Sequence, residues 1–189
     1  MLVVVQERLV EGVLEPDPVP VAVPFPLLVV DPLASRRERA RQMGADATVS
    51  PNELPVDRWS DALGADGADL VYELSGQPAA LDDALALAGY DSRVVVGSWY
   101  GTKPAELDLG GDFHRDRVSI ESSQVSTLAP ELRGRWTFDR RTDAALENLA
   151  TLPVQSLVTH RIPFEDAPEA YRLVDDRPED ALQVLLTYR

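Results

Sequence analysis

The stretch Leu27-Leu-Val-Val-Asp-Pro-Leu-Ala-Ser-Arg-Arg-Glu-Arg-Ala-Arg-Gln-Met-Gly44 decides the fold. Its first four residues are apolar and read as a short buried strand that ends at Asp31-Pro32. A helix follows. Ser35 and Glu38 stand in capping-box spacing at its start, and Gly44 marks its end. The same alternation continues outward. Ala47-Thr-Val49 is a short strand, and a weaker helical segment runs from about Asn52 to Leu63 with Leu54, Trp59 and Leu63 as its apolar positions. Leu70-Val-Tyr-Glu-Leu74 is a buried strand. Pro78 then suits the first turn of a helix that places Leu81, Ala84, Leu85 and Ala88 on one face before Gly89 stops it. Arg93-Val-Val-Val-Gly97 is the next strand, and Val118-Ser-Ile-Glu121 is another, reached through a polar loop. Strands alternating with helices predict an α/β fold with a doubly wound, mostly parallel sheet.

The two ends of the chain depart from this rhythm. An amphipathic helix from about Thr142 to Leu152, a strand near Leu157 to Ile162, a helix opened by Pro168 and a strand Leu182-Gln-Val-Leu-Leu186 close the sequence. Before Leu27 there is a strand candidate, Leu2 to Val5, and then Pro16, Pro18, Pro20, Pro24 and Pro26. Prolines at that density exclude a helix, because each removes an amide donor and clashes with the preceding turn. The first βαβ unit is therefore expected to be incomplete. The expected divisions are a proline-rich segment 1–26, a cofactor-type α/β domain 27–138, and a helix-strand segment 139–189 packing with it.

Composition narrows the chemistry. The chain has no cysteine, which removes thiolate zinc sites, disulfides and a cysteine nucleophile. Its formal charge of −14 argues against nucleic acid or an anionic membrane as partner. No apolar run approaches a membrane span, and Met1-Leu-Val-Val-Val5 is too short and lacks the basic flank of a signal peptide, so the expected compartment is the cytoplasm. Lys103 is the only lysine. An acidic, nearly lysine-free chain resembles proteins that work in high salt, where screening relieves carboxylate repulsion; GC-rich coding would also give the arginine bias.

Several stretches together resemble the medium-chain dehydrogenase/reductase family, the group of the zinc-type alcohol dehydrogenases and threonine-dehydrogenase-like enzymes. They are Val29 to Asp46, Gly67-Ala-Asp-Leu-Val-Tyr-Glu-Leu-Ser-Gly76, Arg93-Val-Val-Val-Gly-Ser-Trp-Tyr-Gly101, Asp112-Phe-His-Arg, Ser122-Ser-Gln-Val125 and Val158-Thr-His-Arg-Ile-Pro-Phe-Glu-Asp-Ala-Pro-Glu-Ala-Tyr171. The resemblance implies most of a Rossmann-like NAD(P)-binding domain, with hydride transfer from an alcohol as the family reaction. It also exposes two departures. The barrel-like domain that carries the family's zinc ligands has no counterpart here. The glycine-rich turn that cradles the cofactor's pyrophosphate is degenerate, since Val3 to Gly12 offers one glycine and places Glu7 where the backbone should approach the phosphates.

The resemblance carries over to individual residues. Asp31 matches the acid that binds the adenosine ribose, which favours NAD over NADP; otherwise it caps the following helix with Pro32 at the first position. Arg36 matches a basic position beside the same ribose, or is a solvated helix arginine. Ser75 and Gly76, and Gly97, Ser98 and Trp99, follow strands at the end where doubly wound sheets hold ligands, and the second set matches the nicotinamide side. Their plainer readings are an ordinary strand-to-helix turn and a packing aromatic. Ser122 and Ser123 suit either the nicotinamide side or a dimer edge. His160 reads as structural and His114 as solvated, and the two have no metal-ligand spacing. No residue presents itself as catalytic and no zinc is expected in this chain.

Three readings remain open at this point. One is the cofactor-binding portion of an alcohol-dehydrogenase-like oxidoreductase, inactive alone and working as a homodimer or with a separately encoded catalytic chain. The second is a non-catalytic dimerising remnant or interaction module of the same fold, which the degraded glycine turn favours. The third is another Rossmann-like enzyme such as a methyltransferase, which would itself want a glycine turn. The composition makes a prediction independent of them. Stability should rise with salt, because the Debye length shrinks to about 3 Å near molar concentrations. Thermal melts from low to molar chloride should show a rising midpoint, and a flat or falling one would refute the high-salt reading.

Overall fold

The computed structural model describes residues 2–5, 27–53 and 67–188. The chain divides into two compact units, Met1–Gln124 and Val125–Arg189. The first unit is built on a six-stranded sheet in the order β3-β2-β1-β4-β5-β6. Its strands are β1 (Leu2–Val5), β2 (Leu27–Val30), β3 (Ala47–Val49), β4 (Ala68–Glu73), β5 (Ala88–Val96) and β6 (Ser119–Ser122). The pairs β2–β3, β4–β5 and β5–β6 are parallel. The α/β, mostly parallel sheet expected from the alternation is thus present, and its strand order is that of a doubly wound dinucleotide-binding sheet.

β1 is the exception. It lies at the centre of the sheet but runs antiparallel to both neighbours, with Leu2 opposite Val30 and Glu73 and with Val5 opposite Leu27 and Leu70. A parallel β1–β2 link demands a crossover of a dozen or more residues, usually a helix, whereas an antiparallel one does not. An antiparallel β1 needs no crossover helix before β2, which accords with the prolines at 16, 18, 20, 24 and 26, each lacking an amide donor. The consequence corrects one expectation. β1 ends at Val5, at the opposite end of the sheet from Asp31, Ser75 and Gly97, whereas the expected glycine turn would follow a strand that ends beside them. The rest of the Val3 to Gly12 stretch, from residue 6 on, lies outside the described residues, as does the 54–66 part of the weaker helix.

Among the described residues, two longer helices connect β2 to β3 and β4 to β5. α1 (Ala34–Gln42) buries no residue. The capping box expected from Ser35 and Glu38 does not form, because both lie inside the helix. Leu33 is the N-cap, without a side-chain bond of its own, and Asp31 Oδ1 accepts the Leu33 amide at 2.8 Å. Glu38 instead accepts from Arg41 and Gln42. The other end is as expected: Ala45 N donates to Ala40 O and Gly44 N to Arg41 O around Gly44 at φ +104°, a Schellman stop.

α2 (Ala79–Leu87) follows Pro78 and buries Leu81, Ala84, Leu85 and Leu87 against the sheet. With Val30, Val71 and Val94, one from each of three strands, they form the core. Gly89 does not stop this helix, since β5 already begins at Ala88. The backbone there approaches Gly67 closely: a Cβ added to Gly67 would lie 2.5 Å from Gly89 Cα. A four-residue helix α3 (Asp112–Arg115) precedes β6.

The second unit contains α4 (Phe138–Thr151), β7 (Val158–Pro163), α5 (Ala167–Asp176) and β8 (Gln183–Thr187). β7 and β8 form a two-stranded parallel sheet, and α5 buries Ala170 and Leu173. α4 starts four residues earlier than the apolar pattern suggested, because Thr137 Oγ1 caps it by accepting the Arg140 amide at 3.1 Å. Among the described residues no helix is long and apolar enough to cross a membrane.

The glycines give a stability test. Gly44 and Gly67 both have positive φ, but a Cβ at Gly44 meets open space. Gly44→Ala should cost only the left-handed backbone penalty of about 1–2 kcal/mol. Gly67→Ala should cost clearly more in urea unfolding, since strand backbone must also separate; equal losses would refute the close approach.

Candidate functional site

The carboxyl ends of β2, β4, β5 and β6 lie along one edge of the first unit, where β1 contributes its amino end. Asp31 ends β2 and is 1% exposed. Its amide donates to Val49 O at 3.1 Å, and its Oδ1 holds the Leu33 amide, so the helix-entry role weighed for it is real and coexists with any ligand role. Arg36 lies in the first turn of α1, its amide on Leu33 O. The side chain that reaches back to the strand end is Arg37, whose Nη1 donates to Asp31 O at 2.7 Å and Pro32 O at 2.9 Å.

The turns after β4 and β5 are stitched together. Gly76 N donates to Ser98 Oγ at 2.8 Å, Ser98 Oγ donates to Glu73 O at 3.3 Å, and Gly97 N donates to Glu73 O at 2.9 Å. Ser75 Oγ accepts the Gln77 amide at 3.0 Å, and Gly76 takes a positive φ of +70° that suits glycine. Four expected site residues, Ser75, Gly76, Gly97 and Ser98, therefore form one assembly. Trp99, next in the chain, is 88% exposed, so it is not a packing aromatic. Ser122 ends β6, and Ser123 N donates to Val96 O at 2.9 Å.

At the centre of the assembly stands a residue that the sequence reading passed over. Glu73 is the last residue of β4 and is 0% exposed. One carboxylate oxygen accepts the Ser75 amide at 2.6 Å and the Ser75 hydroxyl, and the other accepts the Tyr100 hydroxyl. Burial pushes this carboxyl up, but the bonds donated by Ser75, Tyr100 and Ser98 outweigh it and hold the group below its ordinary value. Burial and the adjacent Glu73 charge raise Tyr100 well above the usual phenol range, so it stays a donor. The sequence signal was a charged residue in the expected buried run Leu70–Leu74, which persists only when its lone pairs are satisfied.

His114 is exposed on α3, and His160 Nδ1 lies 3.0 Å from Thr159 Oγ1 in β7. Among the described residues no group of three His, Asp or Glu could hold a metal ion, and the chain has no cysteine. The residues present do not fit a catalytic zinc, and no chemistry is routed through one.

The strand order and the ligand-facing edge define an alcohol-dehydrogenase-like NAD-binding domain of the Rossmann type. A family model for zinc-binding dehydrogenases matches residues 26–138, and the chain belongs to that family. It is 28% identical over 163 residues to D-guloside 3-dehydrogenase of Escherichia coli, a match covering 84% of this chain and 47% of that protein. It is also 28% identical over 150 residues to L-threonine 3-dehydrogenase of Bacillus licheniformis, covering 78% and 40%. Among solved structures, an alcohol dehydrogenase from Thermus sp. superposes with a TM-score of 0.66 at 28% identity, covering 86% of this chain and 43% of that one. An Escherichia coli alcohol dehydrogenase in complex with NADH gives 0.67 at 22% identity, covering 85% and 44%, a likeness of fold. The chain thus spans less than half the length of these relatives.

The Glu73 assembly predicts a pH dependence. Because its folded value lies below its ordinary one, its contribution is complete above the ordinary carboxylate range and is lost as pH falls through the folded value. Tyr100→Phe should destabilise by about 1–3 kcal/mol at neutral pH, leaving a buried lone pair unmet. The deficit should shrink as the pH drops below about 4, measured by denaturant unfolding. A deficit independent of pH would separate Tyr100 from the Glu73 charge.

Proposed function

We propose that the chain is the nicotinamide-cofactor portion of an alcohol-dehydrogenase-like oxidoreductase, preferring NAD to NADP and weak in its grip on either. The observation that carries this is a buried acid, Asp31, at the end of β2, beside the point where the strand order reverses. That is where an adenosine ribose is bound in open α/β sheets. Ser75, Gly76, Gly97, Ser98 and Trp99 supply the other side of the crevice, and Arg36 flanks the ribose. Bound nicotinamide would supply the hydride chemistry. The chain's own residues would orient it, and none of them offers proton transfer to an alcohol. Oxidation is therefore assigned to an assembly that also supplies a catalytic domain, in the cytoplasm of a cell that works at high salt.

The degenerate turn sets the strength. The Val3 to Gly12 stretch offers a single glycine and Glu7, so the loss of roughly two charge-assisted hydrogen bonds of about 1.5–3 kcal/mol each is expected, which corresponds to about two to four orders of magnitude in affinity. Calorimetric titration in molar salt should give NADH binding in the high micromolar range or weaker, with NADPH weaker still. Asp31→Asn keeps an acceptor for the Leu33 amide but removes the charge, so it should narrow the gap between the two cofactors; an unchanged gap removes Asp31 from the site.

The reversed strand also favours a second reading, a non-catalytic dimerising module, to which complete failure to bind NADH would point. Both readings share a homodimer through β6. All four of its residues are exposed on the sheet edge, Ile120 among them, and such an edge is a template for pairing. Light scattering should give twice the chain mass, and a monomer at high concentration in molar salt refutes it.

A further inference from the structure

Lys103 is the only lysine in a chain of charge −14, and the fold places it against Gly76 in the turn after β4. It is carried by the turn that follows β5. Gly101 takes a positive φ of +64°, Lys103 N donates to Tyr100 O at 3.2 Å, and the Tyr100 hydroxyl is anchored on buried Glu73. The turn is thereby fixed to the end of β4. From it the Lys103 ammonium donates to Gly76 O at 2.6 Å.

An ammonium has three N–H donors, and one is used here, on a neutral carbonyl. Among the described residues Lys103 enters no ion pair, although carboxylates outnumber cations across the chain. The nearby strand ends β2 and β4 carry the buried acids Asp31 and Glu73, which repel an anion. Arg37 points two bonds at the Asp31 and Pro32 carbonyls. The turn after β4 borders the central strand, where the diphosphate of a dinucleotide crosses from the adenosine side to the nicotinamide side.

We propose that Lys103 is an anion-binding residue of this crevice, meeting the diphosphate of a nicotinamide dinucleotide where a turn after β1 would otherwise have offered amides. The assignment rests on the dinucleotide reading above. Glu73 and Tyr100 act through Lys103 and are positioning residues.

Calorimetric titration of the full chain with NADH, at the lowest salt that keeps it folded, tests the assignment. Lys103→Gln should weaken binding roughly tenfold, and Lys103→Arg should stay within about threefold of wild type. Both variants should melt as wild type does, because the side chain is exposed. A second readout is amine acetylation followed by peptide mass analysis. NADH and inorganic pyrophosphate should protect Lys103, and nicotinamide riboside, which has no phosphate, should not. Binding by Lys103→Gln equal to wild type, or acetylation indifferent to NADH and pyrophosphate, overturns the role of Lys103 and leaves the dinucleotide reading standing. Failure of wild type to bind NADH at millimolar concentration overturns both.

Discussion

Leu2–Val5 join the two halves of the six-stranded sheet, because the β2–β3 pair and the β4–β5–β6 set meet only through β1. Both sides of these four residues are paired, residue for residue, with Leu27–Val30 and with Leu70–Glu73. The direction of this strand is a constraint on everything at the ligand edge. A parallel strand would deliver its following turn and helix to that edge, together with a cluster of free amides. An antiparallel one delivers only its own start. The order of strands is that of a doubly wound sheet, while the central strand presents its amino end at the ligand edge.

What remains at the edge is held by a different device. Glu73 contributes its carbonyl and both carboxylate oxygens to Ser75, Gly97, Ser98 and Tyr100, so the turns after β4 and β5 form a single body. A buried carboxylate is costly unless each lone pair is met, and here the donors come from two separate loops. The geometry of the nicotinamide side thus depends on one acid that need touch no ligand. The same anchor fixes the turn that brings Lys103 over Gly76.

Much of this edge was legible from local signals. Asp31 was marked by its place after an apolar strand and before Pro32, and the turns at Ser75 and Gly97 by their position after strands. Local signals failed where a residue's partner is distant in sequence. Ser35 and Glu38 have capping-box spacing, yet Asp31 already holds the Leu33 amide, so the helix begins without them. Gly89 looked like a helix stop, but it lies inside β5, where its backbone is what Gly67, more than twenty residues earlier, must be glycine to approach. Glu73 looked like one more strand residue because Tyr100, its partner, is 27 residues away.

The sequence by itself determined the strands, α1 and α2 of the first unit, their alternation and the absence of thiolate metal chemistry, because apolar periodicity, turn residues and composition act over a few neighbours. It also marked residues 16–26 as unsuited to a helix, since each of the five prolines there lacks an amide donor. Only the tertiary structure decided that β1 would enter the centre of the sheet reversed. Strand direction is set by which neighbours have unpaired edges and which connection can reach them, and both are properties of the assembled sheet. The union of Glu73, Ser98, Tyr100 and Lys103 into one site has the same origin, for it exists only once β4 and β5 lie side by side.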